Sequence, residues 1–132
     1  GNLDPLGRKL RLAGALQGLS EAYLAQNELG RAKDAITRSV ELFSMAQSKV
    51  QMGVALRALA EVTAASATSR KDAQAARDHL QRAIELFEGM GNEVELARSF
   101  RSYAEVLKLT PDLASDAQAQ AEAVRYAKRA TD

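Results

Sequence analysis

Apolar residues recur along the chain with the period of an α-helix. They stand three or four positions apart, first at Leu12, Leu16, Leu19 and Tyr23 and then at Ala32, Ile36, Val40 and Phe43. This spacing places them on one face of a helix, whereas a strand would alternate apolar and polar residues strictly. The pattern predicts an all-α chain of six helices, at residues 5–26, 29–46, 49–66, 70–88, 93–109 and 111–130.

Residues that commonly begin and end helices stand at these predicted boundaries. The starts carry Asp4 before Pro5, Ser48 with Gln51, Ser69 with Asp72, Asn92 with Glu95, and Thr110 before Pro111. Such side chains satisfy the free N–H groups of a first helical turn. Gly89 and Gly91 suit the left-handed residues that end a helix, so a tight corner is expected after the fourth helix.

Two short blocks of sequence recur three times, which indicates a repeat protein. The first block reads LQGLSEAY from Leu16, LRALAEVT from Leu56 and FRSYAEVL from Phe100. The second block reads SVELF, AIELF and AVRYA, ending at Phe43, Phe87 and Ala127. The middle copy is four residues longer, in the stretch that ends at Arg70, which predicts a surface loop. We expect one domain over residues 1–132, part of a longer protein, with repeats at about 5–46, 49–88 and 93–130.

These repeats resemble the tetratricopeptide family. The residues that carry the resemblance are Leu16, Leu19, Ser20, Tyr23, Ala32, Ile36 and Ser39 in copy one, Leu56, Leu59, Ala60, Thr63, Ala76, Leu80 and Ala83 in copy two, and Phe100, Tyr103, Ala104 and Leu107 in copy three. The second helix of copy three departs from the pattern at Asp116 and Gln120, and the family's closing proline is absent. The long repeat is similar to that of kinesin light chains and of bacterial signalling and regulatory proteins.

The resemblance implies a right-handed superhelical stack of three antiparallel helix pairs. Ser20, Ala60 and Ala104 are small, and we expect each to face the partner helix of its pair, where two backbones approach closely. The first helix of each pair would line a concave face. The function implied is a protein-protein interaction scaffold that binds a peptide or protein in this groove. A ligand-sensing or self-associating regulatory domain of a larger bacterial signalling protein remains the alternative.

Two rows of charged and polar residues on the first helices are the candidate partner-binding residues. They are Gln17, Arg57 and Arg101, then Glu21, Glu61 and Glu105, with Arg98 and Lys108 at the end of the groove. In one interpretation, Arg57 pairs with Glu61 and Arg101 with Glu105 one helical turn apart, which merely supports a solvated helix. In the other, the same rows recognise a peptide that carries both charges. The sequence leaves both interpretations open.

Composition argues against several other functions. Eighteen Lys and Arg against seventeen Asp and Glu leave a net charge of +1, too small a field to favour nucleic acid. The chain has no Cys, and no apolar run is long enough to enter a membrane, so we expect a cytoplasmic protein. His79 is the only histidine, and no phosphate loop, metal-spaced cluster or catalytic triad accompanies it. We therefore expect no enzymatic activity and no cofactor.

The last helix is the least regular part of the pattern. Leu113, Ala117, Val124 and Ala127 form a stripe that we expect to pack on the fifth helix. Ala119, Ala123, Tyr126 and Ala130 would then form a weakly apolar outer face. An array of repeats needs a polar surface at its end, and this face is too polar for an obligate core and too bland to be such a capping surface. We therefore expect either a further repeat on it or weak self-association through this helix.

Overall fold

The computed structural model describes residues 4–131 and confirms the all-α class. Within that range it contains seven helices and no strand: α1 (Pro5–Ala25), α2 (Leu29–Met45), α3 (Lys49–Ala65), α4 (Arg70–Met90), α5 (Glu93–Leu109), α6 (Pro111–Ala114) and α7 (Ala117–Thr131). The first five agree with the predicted helices to within two residues at each end. The predicted sixth helix is divided in two, so the count of six is wrong for the described residues.

Three of the turns between helices share one geometry, in which a left-handed residue follows the helix. The left-handed residues are Asn27 (φ 61°), Gln47 (φ 55°) and Gly91 (φ 65°). The next N–H donates back across the turn in each case, from Glu28 to the carbonyl of Tyr23 (2.9 Å), from Ser48 to that of Phe43 (3.0 Å) and from Asn92 to that of Phe87 (3.0 Å). These bonds satisfy carbonyls that a helix end leaves free. The predicted role of Gly91 is confirmed, whereas Gly89 lies inside α4.

The predicted caps are confirmed at three of five starts. Side chains of Asp4, Ser69 and Asn92 accept hydrogen bonds from N–H groups in the first turn of α1, α4 and α5. Ser48 and Thr110 do not cap a helix with their side chains. The Ser48 hydroxyl contacts the side chain of Gln51, and the Thr110 hydroxyl donates 2.7 Å back to the carbonyl of Val106. The helices they precede begin without a side-chain cap.

Helices α1 and α2 pack as one hairpin, and α3 and α4 as the next. Two buried hydroxyls join the first hairpin: Ser20 donates 2.8 Å to the carbonyl of Ala32, and Ser39 donates 2.8 Å to that of Ala13. A small side chain is needed at both places for the backbones to come this close. In the second hairpin, Ala60 and Ala83 are fully buried. The expected roles of Ser20 and Ala60 agree with this burial.

The third unit does not repeat the geometry of the first two. A separate helix, α7, starts directly after Asp116. The Oδ1 atom of Asp116 accepts hydrogen bonds from the N–H groups of Gln118 (2.8 Å) and Ala119 (3.2 Å). These two N–H groups hold the pKa of Asp116 below its usual value. Because the chain breaks here, α7 meets α5 with a face different from the expected one, and Ala104 is exposed rather than facing a partner helix.

The faces of α7 are therefore the reverse of the prediction. Ala119 and Tyr126 are buried and Ala123 is partly buried, whereas Ala117, Val124 and Ala127 are exposed. The ring of Tyr126 stacks on Phe100 at a centroid distance of 4.7 Å and meets Tyr103 edge-on at 5.1 Å. Of the stripe expected to pack inward, only Leu113 does so, on α6. Of the predicted outer face, only Ala130 is exposed.

Candidate binding surface on the first helices

The eight candidate residues all lie on α1, α3 and α5, which are the first helices of successive units. We call this surface the first-helix face: Gln17 and Glu21 on α1, Arg57 and Glu61 on α3, and Arg98, Arg101, Glu105 and Lys108 on α5. Their exposure differs strongly along the face. Glu21 and the four residues of α5 are exposed, whereas Gln17, Arg57 and Glu61 are partly buried.

Arg57 binds residues of α5, so its guanidinium is not free to bind a partner as predicted from the sequence. Its Nη2 lies 3.1 Å from Oε2 of Glu95, and its Nη1 donates to Ser99 Oγ (3.2 Å) and to the Glu95 carbonyl (3.3 Å). Only 13% of the Arg57 side chain and 10% of the Glu95 side chain are exposed. Arg98 reaches the other carboxylate oxygen of Glu95 at 2.6 Å. Arg57 thus ties α3 to α5.

Glu95 is the residue of this surface that the sequence did not reveal. At a helix start it looks like a solvated acid that favours the helix dipole, but the structure buries it between two arginines. Burial alone would raise the pKa of Glu95. The hydrogen bond from Arg98 and the charge of Arg57 outweigh that effect and hold the pKa below its usual value. The carboxylate therefore stays ionised as the centre of a small charged cluster.

The predicted pairs one turn apart are not formed in the described part of the chain. Arg57 pairs with Glu95 rather than Glu61, and Glu61 instead accepts a 2.8 Å hydrogen bond from the hydroxyl of Ser102. Glu105 pairs with Lys108 at 3.2 Å rather than with Arg101. The pair of Arg57 with Glu61 is not formed because Glu95 on the neighbouring helix offers Arg57 a buried carboxylate, which periodicity within one helix does not reveal.

Helix α5 presents the most accessible part of the first-helix face. Positions 94, 98, 101, 105 and 108 alternate by four and three and so share one side of the helix. All five side chains on that side are exposed: Val94, Arg98, Arg101, Glu105 and Lys108. On α3, the equivalent position to Val94 is Val50, which is also exposed. The surface therefore offers cations and one acid beside apolar side chains.

A second charged cluster lies between α4, α5 and α7 and was not foreseen. Glu122 accepts from Arg77 Nη2 (2.6 Å), from the Tyr103 hydroxyl (2.7 Å) and from Gln81 Nε2 (3.0 Å). Burial acts to raise the pKa of Glu122, but the bonds from Arg77 and Tyr103 prevail and lower it. Burial and the bond to Glu122 raise the pKa of Tyr103. Every one of these groups is used to attach α7, so the cluster is structural.

The depression on α4 and the single histidine show no arrangement that is typical of a small-molecule site. A depression of about 500 Å³ is lined by Arg70, Lys71, Gln74, Ala75 and Asp78, which all belong to α4, so a ligand would meet a single wall. His79 is half-buried, and burial together with Arg82 lowers its pKa. Residues 4–131 hold no group of three or more His, Cys, Asp or Glu that could hold a metal ion.

Over the same residues, every helix is too short or too polar to cross a bilayer.

Comparison with known proteins gives no relative from which a function could be transferred. The chain matches no family model, no curated protein and no solved structure. The tetratricopeptide resemblance therefore stays an inference from the residues quoted above.

Proposed function

We propose that this chain is a tetratricopeptide-like domain, a right-handed superhelical stack that acts as a protein-interaction scaffold. Three features support the proposal: the repeated hairpins, the buried small residues that join them, and the shared turn geometry. In this proposal the first-helix face is the inner surface of the stack and binds an extended or helical peptide. No catalytic step is assigned to the domain.

The observation that carries the proposal is the exposed side of α5. Arg101 lies at its centre, is exposed, and forms no ion pair among residues 4–131. Arg98 adds positive charge on the same side, where it shares the Glu95 carboxylate with Arg57, and Lys108 and Glu105 pair with each other. A cationic stripe flanked by Val94 and Leu109 suits a peptide with acidic residues and an apolar anchor.

We predict that peptides selected on this domain from a random displayed library will be acidic and will bind through Arg101. Arg101→Glu should weaken a selected peptide by about tenfold or more, which corresponds to about 1.4 kcal/mol. The unfolding temperature should stay unchanged, because Arg101 is exposed. Titration calorimetry measures the affinity, and circular dichroism measures the unfolding.

Arg38→Glu is the matched control, since Arg38 is an exposed arginine on α2, away from the first-helix face, that pairs with Glu41. The control should bind the peptide as the unchanged domain does. Arg57→Glu is unsuitable as a test because it would also break the buried pair with Glu95. A selected peptide that binds the Arg101→Glu variant as tightly as the unchanged domain would place the binding surface elsewhere.

The second candidate function is a self-associating or ligand-sensing regulatory domain. The depression on α4 is lined by a single helix, which gives little support to a ligand-sensing function. Self-association through α7 stays a prediction. Ala119 and Tyr126 of this helix are buried, and the large apolar side chain exposed on it is Val124. Helix α1 carries a larger exposed apolar surface, which favours self-association at the other end of the chain.

A further inference from the structure

Helix α1 carries an exposed apolar stripe. Its members are Leu12, Ala15, Leu19 and Ala22, spaced by three, four and three residues, so that they share one side of the helix. Leu12 is 49% exposed and Leu19 is 43% exposed. We call these four residues the α1 stripe. Leu16 and Tyr23, both partly exposed, extend the apolar surface along one flank.

The repeat shows what kind of partner such a stripe meets. The equivalent positions are Met52, Ala55, Leu59 and Val62 on α3, and Leu96, Ser99, Tyr103 and Val106 on α5. All of these are buried except Met52, which is partly buried. On α3, for example, Ala55, Leu59 and Val62 pack in one cluster with Ile36 and Phe43 of the preceding helix α2. In both later units this side of the first helix is thus covered by helices, whereas no helix of residues 4–131 covers it on α1.

The α1 stripe is complementary to itself when two copies run antiparallel. If two α1 helices cross at the level of residue 17, which is the midpoint of the stripe, Leu12 faces Ala22 of the other copy and Ala15 faces Leu19. Every large side chain then meets a small one, which lets two helices pack closely without overlap. A parallel arrangement would instead place leucine against leucine and alanine against alanine.

The charges of α1 also favour the antiparallel arrangement. Arg8, Lys9 and Arg11 lie in the first half of the helix, where they oppose its positive dipole end. The second half holds Glu21 and no cation. Antiparallel pairing brings the cations of each copy to the negative, C-terminal end of the other helix. A parallel pair would bring six cations together.

We propose that a second copy of this chain docks on the α1 stripe, forming a symmetric antiparallel dimer. The inference does not depend on peptide binding by the first-helix face, because it uses a different side of α1. Two leucines and two alanines per copy bury less than the roughly 800 Å² per partner of a standard stable interface. The dimer is therefore weak and forms at tens to hundreds of micromolar chain, by order of magnitude.

Analytical ultracentrifugation of residues 1–132 from about 5 μM to about 1 mM tests the association. The weight-average mass should rise from 14.2 kDa toward twice that value. Leu12→Glu combined with Leu19→Glu should keep the chain monomeric throughout with only a small change in its unfolding temperature, since both leucines are about half exposed. Val124→Glu on α7 is the matched control and should dimerise like the unchanged chain.

Disulfide trapping tests the orientation of the two α1 helices. Because the chain has no Cys of its own, every disulfide must form between the introduced cysteines. Leu12→Cys chains mixed with Ala22→Cys chains should yield mixed disulfide dimers, while each variant alone should stay largely unlinked. Positions 12 and 22 of one helix are about 15 Å apart. In the antiparallel dimer the two copies of position 12 are therefore also about 15 Å apart along the helix axis, as are the two copies of position 22, and this is too far for a disulfide. A chain that stays monomeric at 1 mM, a dimer lost only in Val124→Glu, or self-linked Ala22→Cys dimers in preference to mixed ones would each overturn the proposal.

Discussion

At the residue scale, single positions decide how closely two helices can approach. Gly53 on α3 is buried, and the ring of Phe87 on α4 lies directly over it. A methyl group at Gly53 would come within 2.6 Å of Cζ of Phe87. Phe87 is fully buried, so a shift of its ring would have to displace neighbouring side chains. Gly53 and Phe87 therefore mark a close approach of α3 and α4.

We predict that Gly53→Ala destabilises the domain by roughly 1–3 kcal/mol despite the better helix propensity of alanine. The physical reason is the collision with Phe87. Gly14→Ala on α1 is the control, because nothing lies within 4 Å of a methyl group there, and it should stabilise the domain by up to about 1 kcal/mol. Urea unfolding measures both changes. Equal effects of the two substitutions would show that the contact with Phe87 does not limit the packing of the hairpin.

At the scale of the element, the turns are more uniform than their sequences. Asn27, Gln47 and Gly91 occupy the same left-handed position in three turns, yet only glycine is free of strain there. Asparagine tolerates the conformation better than most residues, and glutamine has no such advantage. The turn after α2 is therefore held by the packing of the flanking helices rather than by its own residue preference.

We predict that Gln47→Gly raises the free energy of unfolding by about 0.5–1 kcal/mol, and Asn27→Gly by less. Gln47 is exposed, so the substitution removes strain and no contact of note. Gln74→Gly, at an exposed position inside α4, should lower stability by up to about 1 kcal/mol. The same urea titration gives all three values. A destabilised Gln47→Gly protein would mean that the left-handed residue carries no strain.

The helices themselves could be predicted from the sequence because periodicity and capping are local. The break at Asp116 was missed, although Ser115 and Asp116 are ordinary residues for a helix start. The repeat pattern predicts an unbroken helix there, which conflicts with this local signal. The orientation of α7 then followed from the break: Ala119 and Tyr126 turned inward, and Ala104 lost its expected partner.

At the scale of the whole molecule, charged clusters connect units that apolar packing alone places side by side. Arg57 with Glu95 joins α3 to α5, and Arg77 with Glu122 joins α4 to α7. Neither pair could be predicted from the sequence, since their members are 38 and 45 residues apart. The candidate residues were correctly placed on the first helices, but which of them stay accessible depends on these distant pairings.

The pair at Glu122 makes the attachment of α7 sensitive to acid. The pKa of Glu122 is lowered on folding, so its contribution to stability is fully present above the unfolded value of about 4.5 and is lost as the pH falls through the lower folded value. Arg77, Tyr103, Gln81 and the nearby charge of Arg125 all favour the ionised form or bind it. Protonation would leave Arg77 without its charged partner.

We predict that Glu122→Gln lowers the free energy of unfolding at pH 7 by roughly 1.5–3 kcal/mol, the range for hydrogen bonds to a charged group. The loss should shrink below pH 4.5, because the unchanged protein then loses the same interaction. Glu105→Gln, whose carboxylate is exposed and pairs only with Lys108, should change stability by less than about 1 kcal/mol at any pH. Urea titrations at pH 7, 4.5 and 3 measure the difference. A penalty for Glu122→Gln that stays constant from pH 7 to pH 3 would mean that the packing of the side chain, and not its charge, holds α7 in place.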